Sequence, residues 1–593
     1  MLTLRKAPRR WPFALRASVC MGALVLAGWA MGDVADGLAM TLGAFTVLYG
    51  SDRPYLNRAI LLAMTACGLA GSVWLGASAA GFATPWPALL IVAGIAALSS
   101  LVCNALQFGP PGAYMFVLVC AAGTFIGGQN VPPARLALLT LAGGVFAWAV
   151  SLSGVVVSPR GPEKAAVRTA GLRVAEFAAA VGGAREDLSR HSAAAALHSA
   201  WTALVTYQPA QARPTGTLQR LRALNRELHL LFAEAMGAAA RHEACSEALA
   251  DRARALSAEA QNPLPADALE DGQIPLGRLS AFEAIREAIT PGSPHLSAAI
   301  RVGLATFAAG AVASTLGLER AYWAMAAAAL MLHQGLDWVR TLQRGLERTL
   351  GTWAGLALAS LLLTLHLAGP ALAPTLMALQ FLIEMFVVRN YAAAVTFITS
   401  AALLIATGGQ AVADVPRLVL ARGVDTALGC VIALGVLMAT APRSKVTRVS
   451  RALVDTLNAT RTVLDFLGLG AVTTEPAKIA RRNLQHHTLL ALQAYEESVG
   501  ASLRARDVAE SYWPAVVAAQ RLAFRVLAAC WEVESSGAAP PCDPAEAKRL
   551  SAVIGALADA IREGTTPQAA DPSPAFLRPE IEALRQSLAG VRR

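Results

Sequence analysis

The residues of this sequence able to do chemistry are charges set among apolar neighbours. Arg422 and Asp425 stand three apart inside the apolar run 418–440, Glu384 lies near the end of the run 371–388, and Arg389, Asn390 and Tyr391 lead into the next run. A charge in hydrocarbon costs about 2.5 to 3.5 kcal/mol even on the lenient translocon scale, so such residues are expected to be paired, inward-facing and functional. A spacing of three puts Arg422 and Asp425 on one helix face and within reach of each other. In one reading Asp425 exchanges a proton while Arg422 holds an anion, or releases Asp425 as the anion binds. In the other the two form a permanent ion pair that locks two helices. The first is favoured, and it requires the pair to face a cavity that solutes reach.

Arg389 has two readings as well. It marks the cytoplasmic end of a span, as basic residues generally do, or it captures an anion at the inner mouth, with Asn390 donating a hydrogen bond and Tyr391 stacking on an aromatic ring. Glu384, five residues earlier, neutralises Arg389 or serves as a proton site. The stretch 337–344 with Glu347 and Arg348 reads as an amphipathic connector whose arginines meet anionic headgroups. Gly28 with Gly32, and Gly351 with Gly355, are spaced for close helix approach.

These charges stand out because the rest of the chain is so apolar. Of 593 residues, 55% are hydrophobic and only 15% charged, with a mean hydropathy of +0.48. A soluble protein of this length would need more charge to cover its surface, so the class is an all-α polytopic membrane protein. The net charge of +10 is explained by basic flanks of membrane spans rather than by nucleic acid. The eight cysteines form no CxxC pair and no zinc-like spacing with histidine, which predicts reduced thiols, no metal and no cofactor. His486 and His487 are adjacent and cannot share a helix face, so they do not suggest a metal site either. No phosphate-binding loop or hydrolase signature occurs, which argues against an enzyme.

Arg5, Lys6, Arg9 and Arg10 precede the first apolar run without a small-residue cleavage site after it, so this run reads as an uncleaved helix starting in the cytoplasm. Six apolar segments follow one another in residues 1–158, and six more in 297–441. The second and fifth of each set are short, and corresponding short spans point to a transporter's binding site. Residues 159–296 and 442–593 switch to amphipathic periodicity, with helices expected at 168–181, 194–207, 217–240, 445–467, 477–499, 512–534 and 545–563. The plan is two repeats of about six transmembrane helices, each followed by a helical cytoplasmic domain. Arg16 and Arg301, Gly32 and Gly317, and Gly50-Ser51-Asp52 and Gly335-Leu336-Asp337 recur at one offset of 285. Gly127-Gly128-Gln129 recurs as Gly408-Gly409-Gln410 at 281. Both sets start on the same side, so the repeat is parallel.

Tyr322-Trp323-Ala324, the stretch Gln343-Arg344-Gly345-Leu346-Glu347-Arg348-Thr349-Leu350-Gly351-Thr352, Arg389-Asn390-Tyr391-Ala392 with Phe397-Ile398-Thr399, and Arg422-Gly423-Val424-Asp425-Thr426 together resemble the FUSC family, named for fusaric acid resistance, which includes bacterial aromatic acid exporters. Phe108-Gly109-Pro110-Pro111-Gly112-Ala113-Tyr114 looks like the corresponding loop of the first half. The resemblance implies a bacterial inner-membrane efflux protein for aromatic carboxylates, often working with a periplasmic adaptor subunit. The first half departs from the pattern, offering only Arg135 and Thr140 where the second has Arg422 and Asp425, so the halves are not expected to handle substrate or protons equally.

The residues and the resemblance converge on a proton-coupled exporter embedded in the lipid bilayer, compatible with a homodimer. Its substrate, a small organic anion, would be held by Arg422, Arg389, Asn390, Tyr391, Phe397 and Trp323, with Asp425 or Glu384 carrying the proton. Rival readings are a gradient-driven anion channel and a membrane-anchored sensor or scaffold.

Overall fold

In a computed structural model of the chain, the described residues are 10–129, 131–208, 216–240, 243, 245–263, 281–291, 293–318, 320–333, 338–365, 369–408, 415–440, 448–499, 503–537, 539–567 and 575–591, and every regular element among them is helical. The helices are α1 (Trp11–Ala30), α2 (Val34–Ala44), α3 (Tyr55–Ala79), α4 (Trp86–Ala105), α5 (Tyr114–Gly127), α6 (Pro133–Leu152) and the single turn α7 (Gly154–Val157). Then come α8 (Gly161–Ala180), α9 (Glu186–Trp201), α10 (Thr217–Ala240), α11 (Glu247–Glu259), α12 (Ala281–Ala288), α13 (Pro294–Thr315), α14 (Tyr322–Leu332) and α15 (Trp338–Thr364). The chain ends with α16 (Leu372–Phe386), α17 (Tyr391–Thr407), α18 (Val415–Thr440), α19 (Arg448–Gly468), α20 (Glu475–Val499), α21 (Leu503–Ser536), α22 (Pro544–Glu563) and α23 (Arg578–Ala589). They sort into two compact units, each made of two separate stretches: residues 1–159 with 279–442, and residues 160–278 with 443–593.

The first unit holds the apolar helices. Seven of its segments are long and apolar enough to cross a bilayer: Trp11–Ala30, Tyr55–Ala79, Trp86–Ala105, Pro133–Val157, His295–Thr315, Gly369–Phe386 and Leu420–Thr440. Their outward faces carry Leu90, Leu138, Ile300, Leu304, Val431 and Met438, apolar side chains left exposed in the protein alone, which is the surface that lipid rather than water satisfies. Four more apolar helices are too short on their own: Val34–Leu48, Tyr114–Gly127, Tyr322–Leu332 and Tyr391–Thr407. These are the second and fifth segments of each half, where the sequence predicts short spans. Gly32 and Gly317, matched by the 285 offset, both take the left-handed conformation after the first helix of their half, with φ of 84° and 68°. Gly335, Leu336, Asp337, Gly409 and Gln410, used in the same comparison, lie outside the described residues.

One expected element is different. The connector expected ahead of a span at 349 is instead continuous helix, because α15 runs unbroken from Trp338 to Thr364. Leu342, Leu346 and Leu350 recur at four-residue spacing along its exposed side, while Thr341, Arg348, Thr352 and Leu356 are buried, so one helical periodicity serves the charged and the apolar part alike.

Within this unit α3 packs on α5 and α15 on α17, α2 on α6 and α14 on α18, while α1 packs on α16 and α13 on α4. Glycine sets the closest of these approaches. A Cβ on Gly355 would lie 2.4 Å from the Thr396 carbonyl oxygen, and one on Gly351 equally close to that of Ala392, so α15 and α17 meet backbone to backbone as the paired glycines suggest.

The second unit is a helical body with its own core. Phe177, Phe232, Leu197, Leu221, Phe524 and Leu550 sit in one hydrophobic core drawn from both of its stretches. The sequence reading misses α11 and α23, each of which shows only a narrow apolar stripe: Leu249, Ala253 and Leu256 in one, Ile581, Leu584 and Leu588 in the other. It also starts α21 too late, at residue 512 rather than Leu503, since Pro514 is accommodated inside the helix.

Two measurements test this packing. Gly355→Ala should destabilise the protein by about 1 to 3 kcal/mol in detergent melts, the usual cost of overpacking. Gly94→Ala, where an added Cβ meets nothing within 4 Å, should be neutral or stabilising, because alanine is the better helix former. In the second unit burial, reinforced by neighbouring cationic or histidine side chains, lowers the pKa values of His198, His229 and His486 to about 4. An unfolded histidine titrates near 6.5, so between about pH 6.5 and 4 the unfolded chain binds more protons and the folded unit loses stability as pH falls. Melts from pH 7.5 to 4.5 should show that loss, and His198→Phe should make it shallower.

Candidate functional site

The charges singled out in the sequence part into two groups. Arg422 and Asp425 lie on α18 in the first half of its length, Trp323 near the start of α14, and the two helices pack directly. A Cβ on Gly429 would meet the Ala324 carbonyl oxygen at 2.3 Å, so the absence of a side chain there lets α14 come close enough for the Arg422 guanidinium to lie over the Trp323 ring, 3.2 Å from its centroid. Such a stacked cation is worth about 2 kcal/mol or more where water is excluded.

Arg422 and Asp425 are 3% and 1% exposed. The alternative of a permanent ion pair is not what the structure holds: among the described residues no nitrogen of Arg422 comes within 4 Å of the Asp425 carboxylate. Nε and Nη1 of Arg422, both carboxylate oxygens of Asp425 and Nε1 of Trp323 are buried without a hydrogen-bond partner in the protein. A buried charge in that condition is costly. The expectation of an open, solute-facing pair is corrected, because in this conformation protein encloses both side chains.

Three residues that the sequence reading had placed elsewhere or passed over complete the surroundings. Arg348, expected at a solvated surface, is 3% exposed on α15, and its guanidinium carbon lies 6.0 Å from the ring centroid of Tyr114 at the start of α5. Arg344, one turn earlier, lies 4.9 Å over the ring of Tyr391 at the start of α17. His333 closes α14, its Nδ1 at 2.8 Å from the Leu330 carbonyl oxygen, and its ring is 6.3 Å from that of Tyr114. Arg422 and Arg348 are within electrostatic reach of one another, and Asp425 has Arg422 and Arg320 as its charged neighbours. Two buried arginines and one buried carboxylate thus sit among Tyr114, Tyr322, Trp323 and Tyr391, with residues from both membrane stretches. The signal that could have found Arg348 is its spacing of four from Arg344 in a helix whose other face is leucine.

The second group stands apart. Glu384, 4% exposed, is bound by Arg10 at 3.2 Å and by the Gln380 amide nitrogen at 3.3 Å, so it neutralises the amino-terminal arginine and not Arg389. Asn390 caps α17, its side-chain oxygen accepting from the Ala393 amide at 3.1 Å. Arg389 is half-buried in the turn just before it. Phe397 packs on Phe386, with centroids 5.8 Å apart, in the apolar cluster that holds Met21, Leu376 and Leu404. The structure therefore brings Arg422, Asp425, Trp323 and, through Arg344 and Arg348, Tyr391 together, and leaves Phe397 and Glu384 in other surroundings.

A chain whose described residues form helices, seven of them apolar and of bilayer length with unpaired charges buried among them, is a polytopic membrane protein. Residues 307–436 match the family described as fusaric acid resistance protein-like, so the resemblance read from the sequence holds for the stretch that contains Trp323, Arg348, Tyr391, Arg422 and Asp425. The chain is also 28% identical over 553 residues to the uncharacterized membrane protein YvaC of Bacillus subtilis (strain 168), covering 88% of this chain and 86% of that protein. No solved structure matches the chain.

The two acids should respond oppositely to neutralisation. Asp425→Asn removes a buried carboxylate that no donor satisfies and should leave the melting temperature unchanged or raise it in detergent at pH 8. Glu384→Gln removes the partner of Arg10 and should lower stability, by about 0.5 to 1.5 kcal/mol for a single modest bond to a half-exposed cation.

Proposed function

We propose that this chain is a proton-coupled exporter of small aromatic carboxylates or similar amphiphilic anions, resident in a bacterial inner membrane. The observation that carries the reading is the cluster of buried guanidiniums stacked on aromatic rings with a single unpaired carboxylate among them. Its positive excess suits one anion, its rings suit a planar apolar body, and the guanidinium fork suits a carboxylate. Arg422, Arg348 and Arg344 hold the anionic group, Trp323, Tyr391 and Tyr114 hold the ring, and Asp425 takes the proton. Substrate arriving at Arg422 offers that cation a partner, while protonation of Asp425 removes a buried negative charge. Each event is bound differently by two access states and so biases the balance between them.

The two membrane stretches act as parallel repeats in this reading. The exchanged packing, α1 on α16 and α13 on α4, supports it, because under a two-fold relation a contact between the first helix of one half and the fourth of the other recurs with the halves exchanged. Basic flanks put the amino terminus and the second unit on the cytoplasmic side, and a periplasmic adaptor subunit would carry the substrate onward. Glu384, held by Arg10, keeps a structural role, and the chain performs no chemical conversion.

Export of 4-hydroxybenzoate from proteoliposomes under an imposed pH gradient tests the mechanism. Arg422→Gln should lower the flux at least tenfold. Asp425→Asn should abolish accumulation against a gradient while downhill flux remains. Equal fluxes for native protein and Asp425→Asn would remove that residue from the mechanism, and native flux that follows membrane potential alone, indifferent to a proton uncoupler, would identify an anion channel.

A further inference from the structure

The second unit contains a cleft that the transport reading leaves unused. It is a cavity of about 40 Å³, part of it open to solvent, where the π-helical end of α9 and α10 from one stretch meet α20 and α21 from the other. Five cations line it, Arg222, Arg226, Lys478, Arg481 and Arg482, against one carboxylate, Glu534. Trp201 and Trp531 supply aromatic surface. Such a positive excess in an apolar cleft disfavours a neutral ligand and favours an anion.

The arrangement is built rather than incidental. Arg481 is 4% exposed and fixed by its Nη1, which donates to the Val472 carbonyl at 3.1 Å and meets Glu534 at 2.8 Å. Arg222 is held through Nε, which donates to the Leu204 carbonyl at 3.0 Å. His229 stands edge-on to Trp531, with centroids 4.7 Å apart, and its Nδ1 is 2.7 Å from the backbone oxygen of Asn225. Since that oxygen only accepts, Nδ1 carries the hydrogen and Nε2 is an acceptor. Three polar atoms of the lining are buried with no hydrogen-bond partner: Nη2 of Arg481, Oδ1 of Asn225 and Oε1 of Glu534. Asn225 is 4% exposed. A buried donor on a cation, together with buried acceptors beside a tryptophan, specifies a ligand with complementary groups.

We propose that this cleft is a small-molecule site for a planar aromatic anion that also carries a hydrogen-bond donor, held with its anionic group on the arginine and lysine side and its ring against Trp531. The donor answers the acceptors of Asn225 and Glu534. The site needs both stretches of the unit, so ligand binding ties α10 to α20 and α21. It rests on the geometry of the second unit alone and stands whether or not the membrane cluster transports anything.

Isothermal titration of the full chain in detergent with 4-hydroxybenzoate, carried out in the Arg422→Gln protein so that the membrane cluster is disabled, reads this site by itself. Saturable binding should persist in that protein. It should weaken at least tenfold on adding Lys478→Glu, a charge reversal at a partly exposed position, and also on adding Trp531→Leu. Arg482→Gln serves as the second charge variant if Lys478→Glu fails to fold. Absence of binding in the Arg422→Gln protein, binding indifferent to both charge variants, or equal displacement by inorganic phosphate would each overturn the assignment. Absence of export by the native protein, with this binding intact, would count against the exporter and leave the cleft standing.

Discussion

The Arg422 guanidinium lying on the face of Trp323, deep in an apolar unit, is the contact on which the rest of the membrane half depends. A bare guanidinium in hydrocarbon surroundings is costly on any scale, and a carboxylate neighbour would be the ordinary remedy. Here the ring face substitutes for it, and the nearby acid remains separate. That substitution requires two helices to approach closely at one point, which Gly429 allows against Ala324. Replace the small residue and the ring can no longer sit under the cation, so the electrostatics of the site are controlled by packing several residues away.

Glu384 and Asp425 show what distinguishes a structural charge from one kept for another purpose. Both are nearly fully buried acids in the first unit. Glu384 has a cation and an amide on its oxygens, an arrangement that fixes α16 against the start of α1. Asp425 has neither, although a basic residue sits one turn away on its own helix. Proteins leave few buried polar atoms unsatisfied, and the exceptions usually have a reason. An acid whose desolvation is not offset by a bond is easily protonated, deprotonated or displaced as its neighbours change, whereas a fully bonded acid resists all three.

Much of this was legible in the sequence, and the failures have identifiable causes. The apolar runs mark the helices of the first unit, seven of them long and apolar enough to cross a bilayer and four shorter, because hydrocarbon permits little else. The depth of Arg422 and Asp425 within one such run flagged them correctly as exceptional. Whether they pair was left open, because a spacing of three says that two side chains share a face, not that they turn toward each other; Arg422 turns instead toward a ring contributed by another helix. Arg348 was assigned to a surface because it sits among Arg344, Glu347 and Gln343, a local composition that reads as solvated. Only the tertiary placement of α15 between α17 and α18 buries it. Phe397 failed for the converse reason: it lies on the same short helix as Tyr391, but on a face turned to a different apolar cluster. Helices α11 and α23 were missed because a stripe of three apolar residues is weak evidence in a chain this rich in alanine.

The short helices explain how a buried charge cluster can exist here at all. Hydrocarbon is roughly 30 Å thick, and at 1.5 Å per residue the 11 residues of α14 rise only about 16 Å. Such a helix must end inside the slab, and its first turn carries unpaired amide groups with a partial positive charge. In three of the four short helices that first turn is where the cluster's aromatics are found: Tyr322 and Trp323 open α14, Tyr391 opens α17 and Tyr114 opens α5. Long helices α15 and α18 bring in the arginines partway along their length, where a full-length span passes the point at which a short one begins. α5 and α14 run antiparallel, with Phe125 against Tyr322 and Tyr114 against His333, so Arg422 lies by the residues that open α14, while Arg348 and Arg344 lie by those that open α5 and α17 toward the other end of α14. Each guanidinium thus stands beside an aromatic that opens a short helix, where both the cation and the helix amino terminus favour negative charge, and a full-length helix in place of α14 would bury Trp323 without bringing a terminus to Arg422.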